Sequence, residues 1–137
     1  MNIKQLRELI TIILEDSVDC FSMLDSHARM LYHSPAVERI TGYTPAELLG
    51  KNAFDFIHPD DAENKRAQFE MLLSKVGHRT KAFVRWRKKS RGWAWLEVIG
   101  HNRLDNPMLK CITVNFRDYP QWEDAGGNGK KRSTTPG

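Results

Sequence analysis

The sequence has little cysteine. Cys20 and Cys111 are the two cysteines among 137 residues, and they lie far apart, with no CxxC pair and no Cys/His spacing typical of a metal site. Both fall in apolar, strand-like segments, where a free cysteine behaves as a small buried hydrophobe. We therefore expect two buried free thiols and neither a disulfide nor a redox pair.

Long apolar runs are also missing. No stretch approaches the roughly 18 residues of a membrane-spanning helix. The first residues do not resemble a secretion signal, because Glu8, Glu15 and Asp16 flank or interrupt the apolar positions and no small-residue cleavage site follows. We therefore expect no membrane insertion and a cytoplasmic location.

The motifs of common active sites are absent as well. The sequence has no glycine-rich phosphate loop, no GxSxG, no HExxH and no paired carboxylates in a recognisable setting. His58 stands near Asp60 and Asp61, but a metal needs ligands that converge from several elements, and a loop leading into a capped helix explains these residues better. We expect no catalytic site and no metal site in this chain.

What is present suits one folded domain preceded by a helix. Hydrophobic residues make up 40% and charged residues 28% of the chain, as in ordinary globular domains. Residues 1–15 predict an amphipathic helix with Asn2 as a candidate N-cap, because apolar residues recur near helical spacing.

The apolar stripe of this first helix needs a partner surface, since a helix of about fourteen residues gains little stability from propensity alone. Two surfaces are available: the outer face of its own sheet and the same helix of a second copy. The width of the stripe suits contact with both, so we expect a homodimer. The predicted dimer interface consists of Ile3, Leu6, Leu9, Ile10, Ile13 and Leu14.

Residues 16–118 predict an α+β domain. Short strands at 19–25 and 30–33 precede two short helices, the first capped by Ser34 and closed by Gly42. The second has a capping box formed by Thr44 and Glu47. A longer helix capped by Asp60 follows, with Ala62, Phe69, Leu72, Leu73 and Val76 on its apolar face, and it ends before Gly77.

Three alternating segments at 79–88, 93–102 and 109–117 predict three further strands. Consecutive hairpins imply an antiparallel sheet of about five strands, covered on one face by the short helices and the longer helix. Residues 119–137 include GGNGKKRSTTPG, which buries too little to offset its ordering entropy, so we expect a flexible tail or linker there.

Four segments, in this order along the chain, resemble the PAS domains. The resemblance implies the family's fold over about 16–118, with two short helices, a long helix, a basic hairpin and a last strand ending in Arg-Asp. The segments are SPAVERITGYTPAELLGK at 34–51, FIHPDD at 56–61, the basic strand and hairpin ending in Trp95-Leu96-Glu97, and Asn115-Phe116-Arg117-Asp118.

The resemblance also implies a sensing and relay module. Such domains usually sit beside histidine kinases, cyclic-dinucleotide enzymes or transcription activators, so an output domain of the same polypeptide is an expected partner and two-component signalling is a suitable context. Catalysis is expected only in a parent protein of that kind.

Two functions stay open for such a module. One is an interaction module that acts by dimerisation and domain docking, with a core filled by side chains. The alternative is a sensor that binds a metabolite or a non-covalent cofactor between sheet and helices. The bulk of the candidate core residues slightly favours the first. These residues are Phe21, Met23, Ile40, Phe54, Phe69, Val84, Ile112 and Val114.

No cofactor is expected from the resemblance, although an unidentified small ligand is compatible with it. Haem-binding PAS domains use a histidine on or near the long helix, and residues 60–76 contain none. Light-sensing relatives carry a cysteine just before that helix, and residues 50–59 contain none.

A basic stretch with interleaved aromatics, residues 79–91, suggests nucleic acid at first sight. A solvated sheet face with acidic partners on neighbouring strands is simpler, so we expect no nucleic-acid partner. Trp86, Trp93 and Trp95 cluster in the same hairpin, where cross-strand packing is favoured over a pocket or a partner surface. The basic residues are Arg79, Lys81, Arg85, Arg87, Lys88, Lys89 and Arg91.

Overall fold

In the computed structural model, which describes residues 1–120, five strands form one antiparallel sheet in the order β2-β1-β5-β4-β3. The last strand in the chain, β5, therefore lies at the centre of the sheet. It pairs with β1 on one side and with β4 on the other. The predicted α+β fold is confirmed. The strands are β1 (Cys20–Leu24), β2 (Met30–His33), β3 (Arg79–Arg87), β4 (Trp93–Arg103) and β5 (Cys111–Asp118).

The helices lie between β2 and β3 in the chain, apart from the first. Most of the predicted tail, residues 121–137, lies outside the described residues. Within residues 1–120, no helix has the length and apolar character needed to cross a membrane. The helices are α1 (Ile3–Asp16), α2 (Ala36–Thr41), α3 (Pro45–Leu48), a 3₁₀ helix (Ala53–Phe56) and α4 (Pro59–Leu73).

Several helix ends follow the predicted cap chemistry. The Asn2 side chain accepts from the backbone N–H of Gln5 at 2.8 Å, and the Gln5 side chain accepts from the backbone N–H of Asn2. Thr44 and Glu47 form the predicted capping box of α3. Gly42 ends α2 with φ +88°, a left-handed conformation that favours glycine.

Two predicted caps are wrong. The cap position of α2 is Pro35, because the Ser34 hydroxyl instead accepts from the backbone N–H of Phe21 and extends the β1–β2 pairing. The cap of α4 is His58, whose Nδ1 accepts from the backbone N–H of Asp60 at 3.0 Å. Pro59 at the first helical position starts the helix there, and Asp60 falls in the first turn.

The sheet presents one face to the helices. Residues opposite one another on β3 and β4 share this inner face, for example Val84 with Leu96 and Ala82 with Val98. Phe21 and Met23 alternate with the inward residues of β1 and are only partly buried. Their assignment to the core was therefore wrong, since a strand's successive side chains point to opposite faces.

Both cysteines are free and buried, as predicted. Cys20 belongs to the main apolar cluster beside Met30 and Val37. Burial raises the pKa of both thiols, which keeps them protonated and unreactive at neutral pH.

Helix α4 is attached to the sheet by polar groups near both of its ends. At its start, Asp61 accepts from the Arg85 guanidinium at 2.7 Å and 3.1 Å, and from the Arg85 backbone N–H. At its end, the buried Asn102 side chain of β4 donates to the carbonyls of Leu72 and Lys75. These contacts fix the helix across the inner face.

Replacing Asn102 by alanine should lower the free energy of unfolding by about 1–3 kcal/mol, because it leaves carbonyls at the end of α4 without their donor. Asn115→Ala is the matched control on the outer face of β5 and should change stability by less than about 0.5 kcal/mol. Urea unfolding of the two variants and the parent measures both values. Equal losses in the two variants would contradict the proposed attachment.

Candidate functional site

A cavity lies between the inner face of the sheet and α4. Its volume is about 140 Å³, close to the roughly 150 Å³ of an engineered apolar cavity that holds benzene. The wall is largely apolar. It includes Leu24, Met30, Ala53, Phe54, Ile57, Lys65, Gln68, Phe69, Leu72, Ala82, Val84, Trp86, Leu96, Val98, Gly100, Ile112, Val114 and Phe116.

Small side chains at wall positions contribute to this space, notably Ala53 and Ala82. Gly100 also lines the cavity, and Leu72 of α4 packs directly against its backbone. A Cβ at position 100 would lie 3.0 Å from Leu72 Cδ2 and 3.3 Å from Thr80 Cγ2. The bulky residues that were expected to fill the core therefore leave a cavity between the sheet and α4.

Two buried polar atoms of the wall have no hydrogen-bond partner among residues 1–120: Trp86 Nε1 and Gln68 Oε1. Trp86 is 9% exposed, and its ring stacks on Phe56 with the centroids 5.1 Å apart. An unpaired buried polar atom costs about 1–3 kcal/mol, and native proteins keep few of them. Both atoms are closed to solvent, so they lie behind the apolar surface that the cavity presents.

The side chains of Ser22 and His33, also in the wall, form a hydrogen bond with each other. Ser22 Oγ lies 2.5 Å from His33 Nδ1, and His33 Nε2 lies 3.0 Å from Met30 Sδ. This arrangement suits a neutral imidazole that accepts at Nδ1 and donates at Nε2. Burial lowers the pKa of His33 to about 4, so the ring carries no charge at neutral pH.

Lys65 is the cationic residue of the wall. Its residue surface is 8% exposed, and its ammonium donates to Oδ1 of the exposed Asn64 at 3.3 Å. Burial lowers the pKa of Lys65, and the nearby Asp61 charge opposes that shift. The aliphatic stem therefore belongs to the cavity wall, while the charge is directed towards a solvated neighbour.

The residues around His58 have a structural role. The His58 ring caps α4 and lies 4.5 Å from the Trp93 ring. In the part of the chain that the structure describes, no three His, Cys, Asp or Glu side chains are grouped to hold a metal. The three tryptophans separate: Trp86 lines the cavity, whereas Trp93 and Trp95 alternate with the inward Ala94 and Leu96.

The basic stretch is partly paired with acids on neighbouring elements. Lys81 pairs with Glu97 of β4 at 3.1 Å, and Lys89 pairs with Glu47 of α3. The Arg87 guanidinium lies 4.9 Å from the centre of the Phe56 ring. These contacts favour a structural explanation of the stretch over a nucleic-acid interface.

The predicted dimer stripe lies apart from the cavity on α1. Within the described part of the chain, α1 has no buried residue. Leu14 is partly buried and the other five positions are exposed; Leu6, for example, is 48% exposed. The structure therefore leaves this apolar stripe without a covering surface.

Sequence reasoning did not find Gln68 and Trp86 as a pair. Apolar periodicity on α4 pointed to Phe69 and Leu72, and the same inward face also carries Lys65 and Gln68. The signal in the sequence was the spacing of Lys65 and Gln68, three residues apart. This spacing places both on the face of α4 that covers the sheet. Such residues on a covering face are costly unless paired.

Comparison with known proteins gives a consistent result. A family model described as the PAS fold matches residues 30–113. White collar 2 protein of Neurospora crassa is 29% identical over 119 residues, which cover 79% of this chain and 22% of that protein. The chain spans about a fifth or less of the length of the curated relatives it matches.

Two solved structures share the fold at low identity. The PAS domain of an HTR-like protein from Haloarcula marismortui has a TM-score of 0.73 and 19% identity, covering 85% of this chain and 94% of that one. A domain of a sensory box sensor histidine kinase/response regulator from Geobacter sulfurreducens has a TM-score of 0.68 and 18% identity, covering 85% and 97%.

The buried His33 predicts a pH dependence of stability. Its pKa is about 4 in the folded protein against an ordinary 6.5, so the unfolded chain takes up a proton between these pH values that the folded chain does not. The contribution of His33 to the free energy of unfolding should therefore fall by about 3 kcal/mol as pH drops from 6.5 to 4.

The measurement is urea unfolding at a series of pH values. His33→Gln should remove this part of the slope whatever its own effect on stability, and His27→Gln, at an exposed turn, should keep it. A slope that is the same in the parent and in His33→Gln would disprove the assignment.

Proposed function

The chain belongs to the PAS fold family, and we propose that it is the sensory module of a larger signalling protein, with a small molecule bound in the cavity between the sheet and α4. PAS domains are generally sensory and non-catalytic. Membership of the family does not decide whether a ligand binds or where it binds, and the proposal concerns these two points.

The observation that carries the proposal is the apolar cavity of about 140 Å³ between the sheet and α4. Its wall is lined by apolar and aromatic side chains such as Phe69, Trp86 and Phe116, and a small molecule of matching size would fill it. A module that worked only through its surfaces would gain nothing from such a cavity, since unfilled space and unpaired polar atoms both lower stability. The sensor is therefore favoured over the filled interaction module.

The identity of the output stays a prediction. The Geobacter neighbour carries its domain in a sensor histidine kinase/response regulator, but that likeness is one of fold. An output domain of the same polypeptide, a two-component context, a cytoplasmic location and the absence of a nucleic-acid partner are expectations from the sequence.

Filling the cavity should abolish binding of small probes. Ala82→Leu adds bulk to the wall, whereas Ala67→Leu makes the same change on the exposed side of α4. We expect at least one of toluene, phenol, cyclohexanol and n-hexanol to bind the parent and Ala67→Leu. Binding to Ala82→Leu should be at least about tenfold weaker, a difference of about 1.4 kcal/mol.

Saturation-transfer NMR with titration measures these affinities, and circular dichroism checks that both variants fold. The sensory proposal is wrong if none of the four probes binds the parent. It is also wrong if folded Ala82→Leu binds them as the parent does.

A second proposed function is homodimerisation through α1. PAS domains generally mediate dimerisation and protein interaction. The uncovered stripe of α1, with Leu6, Ile10 and Ile13 along its centre, supports the same helix of a second copy as the partner. Its own sheet leaves these side chains exposed, so packing within one copy does not account for the stripe.

Charging the centre of the stripe should separate the dimer. Leu6→Glu with Ile10→Glu places two carboxylates in the proposed interface, where each lost apolar contact is worth roughly 1.5–3 kcal/mol. Sedimentation at tens of micromolar should show a dimer for the parent and a monomer for the double variant.

The matched control is Lys4→Gln with Thr11→Glu, which makes the same change in net charge at polar positions of α1. This variant should stay dimeric. A parent that is monomeric at these concentrations, or a charged-stripe variant that remains dimeric, would contradict the proposal.

A further inference from the structure

We infer that the outer face of the sheet carries a second binding site, an open groove that takes a small amphipathic anion with an apolar body and one acid group. The apolar body would lie over β1 and β2, and the acid group would lie over β3 and β4. This outer groove is on the opposite face of the sheet from the cavity, so the inference goes beyond the proposed sensory function.

One row of side chains crosses the outer face of all five strands. The strand register aligns one residue from each strand in the order Tyr32, Met23, Thr113, His101 and Arg79. Neighbouring strands lie about 4.8 Å apart, so the row extends over roughly 19 Å. The row is therefore apolar or aromatic at its β2 end and basic at its β3 end.

The row lies in a groove of about 390 Å³, a size typical of small-molecule sites. Thr113 and Asn115 of the central strand β5 are short and form its floor. Longer side chains stand on the strands to either side; Phe21 of β1 and Ile99 of β4, for example, both pair with Asn115. The short residues of β5 between longer neighbours thus create the concave surface.

The basic end of the outer groove lacks the acids that pair with cations elsewhere on the same face. Lys81 and Arg117 both contact Glu97, at 3.1 Å and 3.8 Å. Neither Arg79 nor Arg103 forms an ion pair with an acid among residues 1–120. An external anion would therefore meet two guanidinium groups that have no carboxylate partner in the described chain.

The cations at this end lie close together. The Arg103 Nε donates to the Thr113 hydroxyl at 3.2 Å, which holds the guanidinium over the central strand. Loss of hydration, followed by the charges of Arg103 and Arg79, lowers the pKa of His101, and Asp105 opposes the shift. An acid group bound here would relieve the like-charge repulsion and accept from the remaining guanidinium N–H groups.

The β1–β2 end of the outer groove favours an apolar body. Phe21 and Met23 are partly buried, and Tyr32 is 38% exposed. A bare inorganic ion would engage the arginines and leave these side chains in contact with water. A ring or short chain attached to the acid group would cover them and remove their apolar surface from water.

The α1 helix of a second copy matches the outer groove less well. At 3.6 residues per turn, Glu8 and Glu15 lie on the opposite side of α1 from Leu6, Ile10 and Ile13. The helix therefore cannot present its apolar stripe and these acids to the groove together. A small amphipathic anion carries both groups on one molecule and meets no such conflict.

The test compares 3-phenylpropionate with its uncharged amide, 3-phenylpropanamide, by saturation-transfer NMR titration of the full chain. Arg79→Gln with Arg103→Gln removes the two groove arginines. Lys88→Gln with Arg91→Gln is the matched control, because it makes the same change in net charge at exposed positions between β3 and β4. The parent and the control should bind the carboxylate at least about tenfold more tightly than the amide, and the groove variant should lose that preference.

Further measurements locate the probe. Ala82→Leu, which fills the cavity on the inner face, should bind 3-phenylpropionate as the parent does, so failure of the cavity proposal leaves this test unaffected. Tyr32→Ser should weaken binding at least about threefold, because it removes aromatic surface at the apolar end. Acetate, the same acid group without a body, should bind the parent at least about tenfold more weakly.

Circular dichroism checks that each variant folds. The inference is overturned if 3-phenylpropionate does not bind the parent, if the groove variant keeps its preference for the carboxylate, or if acetate binds as tightly. Loss of binding in folded Ala82→Leu would place the probe in the cavity and overturn it too. A groove variant that sediments as a monomer where the control is a dimer would show that this face joins two copies, which also overturns the inference.

Discussion

The attachment of α4 to the sheet at both of its ends is the constraint on which the site depends. The ion pair of Asp61 with Arg85 fixes the start of the helix, and Asn102 binds the last carbonyls. The fifteen residues of α4 therefore lie across the inner face of the sheet and are attached to it near both ends. Because its ends are fixed by polar contacts, its middle is not forced to collapse onto the sheet, and a cavity persists.

The ion pair at the start of α4 keeps Asp61 ionised although the pair is partly buried. Burial alone would raise the pKa of Asp61, but the hydrogen bonds and charge of Arg85 outweigh it and hold that pKa below its ordinary value. A bidentate arginine pair also fixes orientation as well as distance. At the opposite end, Leu72 against the bare backbone of Gly100 sets how closely helix and sheet approach. Polar contacts and one tight apolar contact therefore set the distance between α4 and the sheet.

The sequence predicted what depends on neighbours in the chain. The Asn2 cap, the capping box of Thr44 and Glu47, the glycine after α2 and the alternation of the strands are local, and the structure confirms them. Ser34 was misassigned as a cap because its hydroxyl accepts from the backbone N–H of Phe21 on a distant strand. Asp60 was misassigned because the preceding His58 caps the helix instead. The cavity was beyond sequence reasoning, since it is a volume left between two layers. Gln68 is identified as a wall residue only once the placement of α4 over the sheet is known.

The two proposed functions meet at β1. Ser22 of β1 lines the cavity, and β1 begins at Cys20, shortly after α1 ends at Asp16. β1 also pairs along its whole length with the central β5, which contributes Ile112 and Phe116 to the wall. A ligand between α4 and the sheet would contact β3 at the far edge, and β4, β5 and β1 are the strands between that edge and the dimer helix. Differential packing of these strands with and without ligand is thus the physical route by which occupancy of the cavity would reach α1.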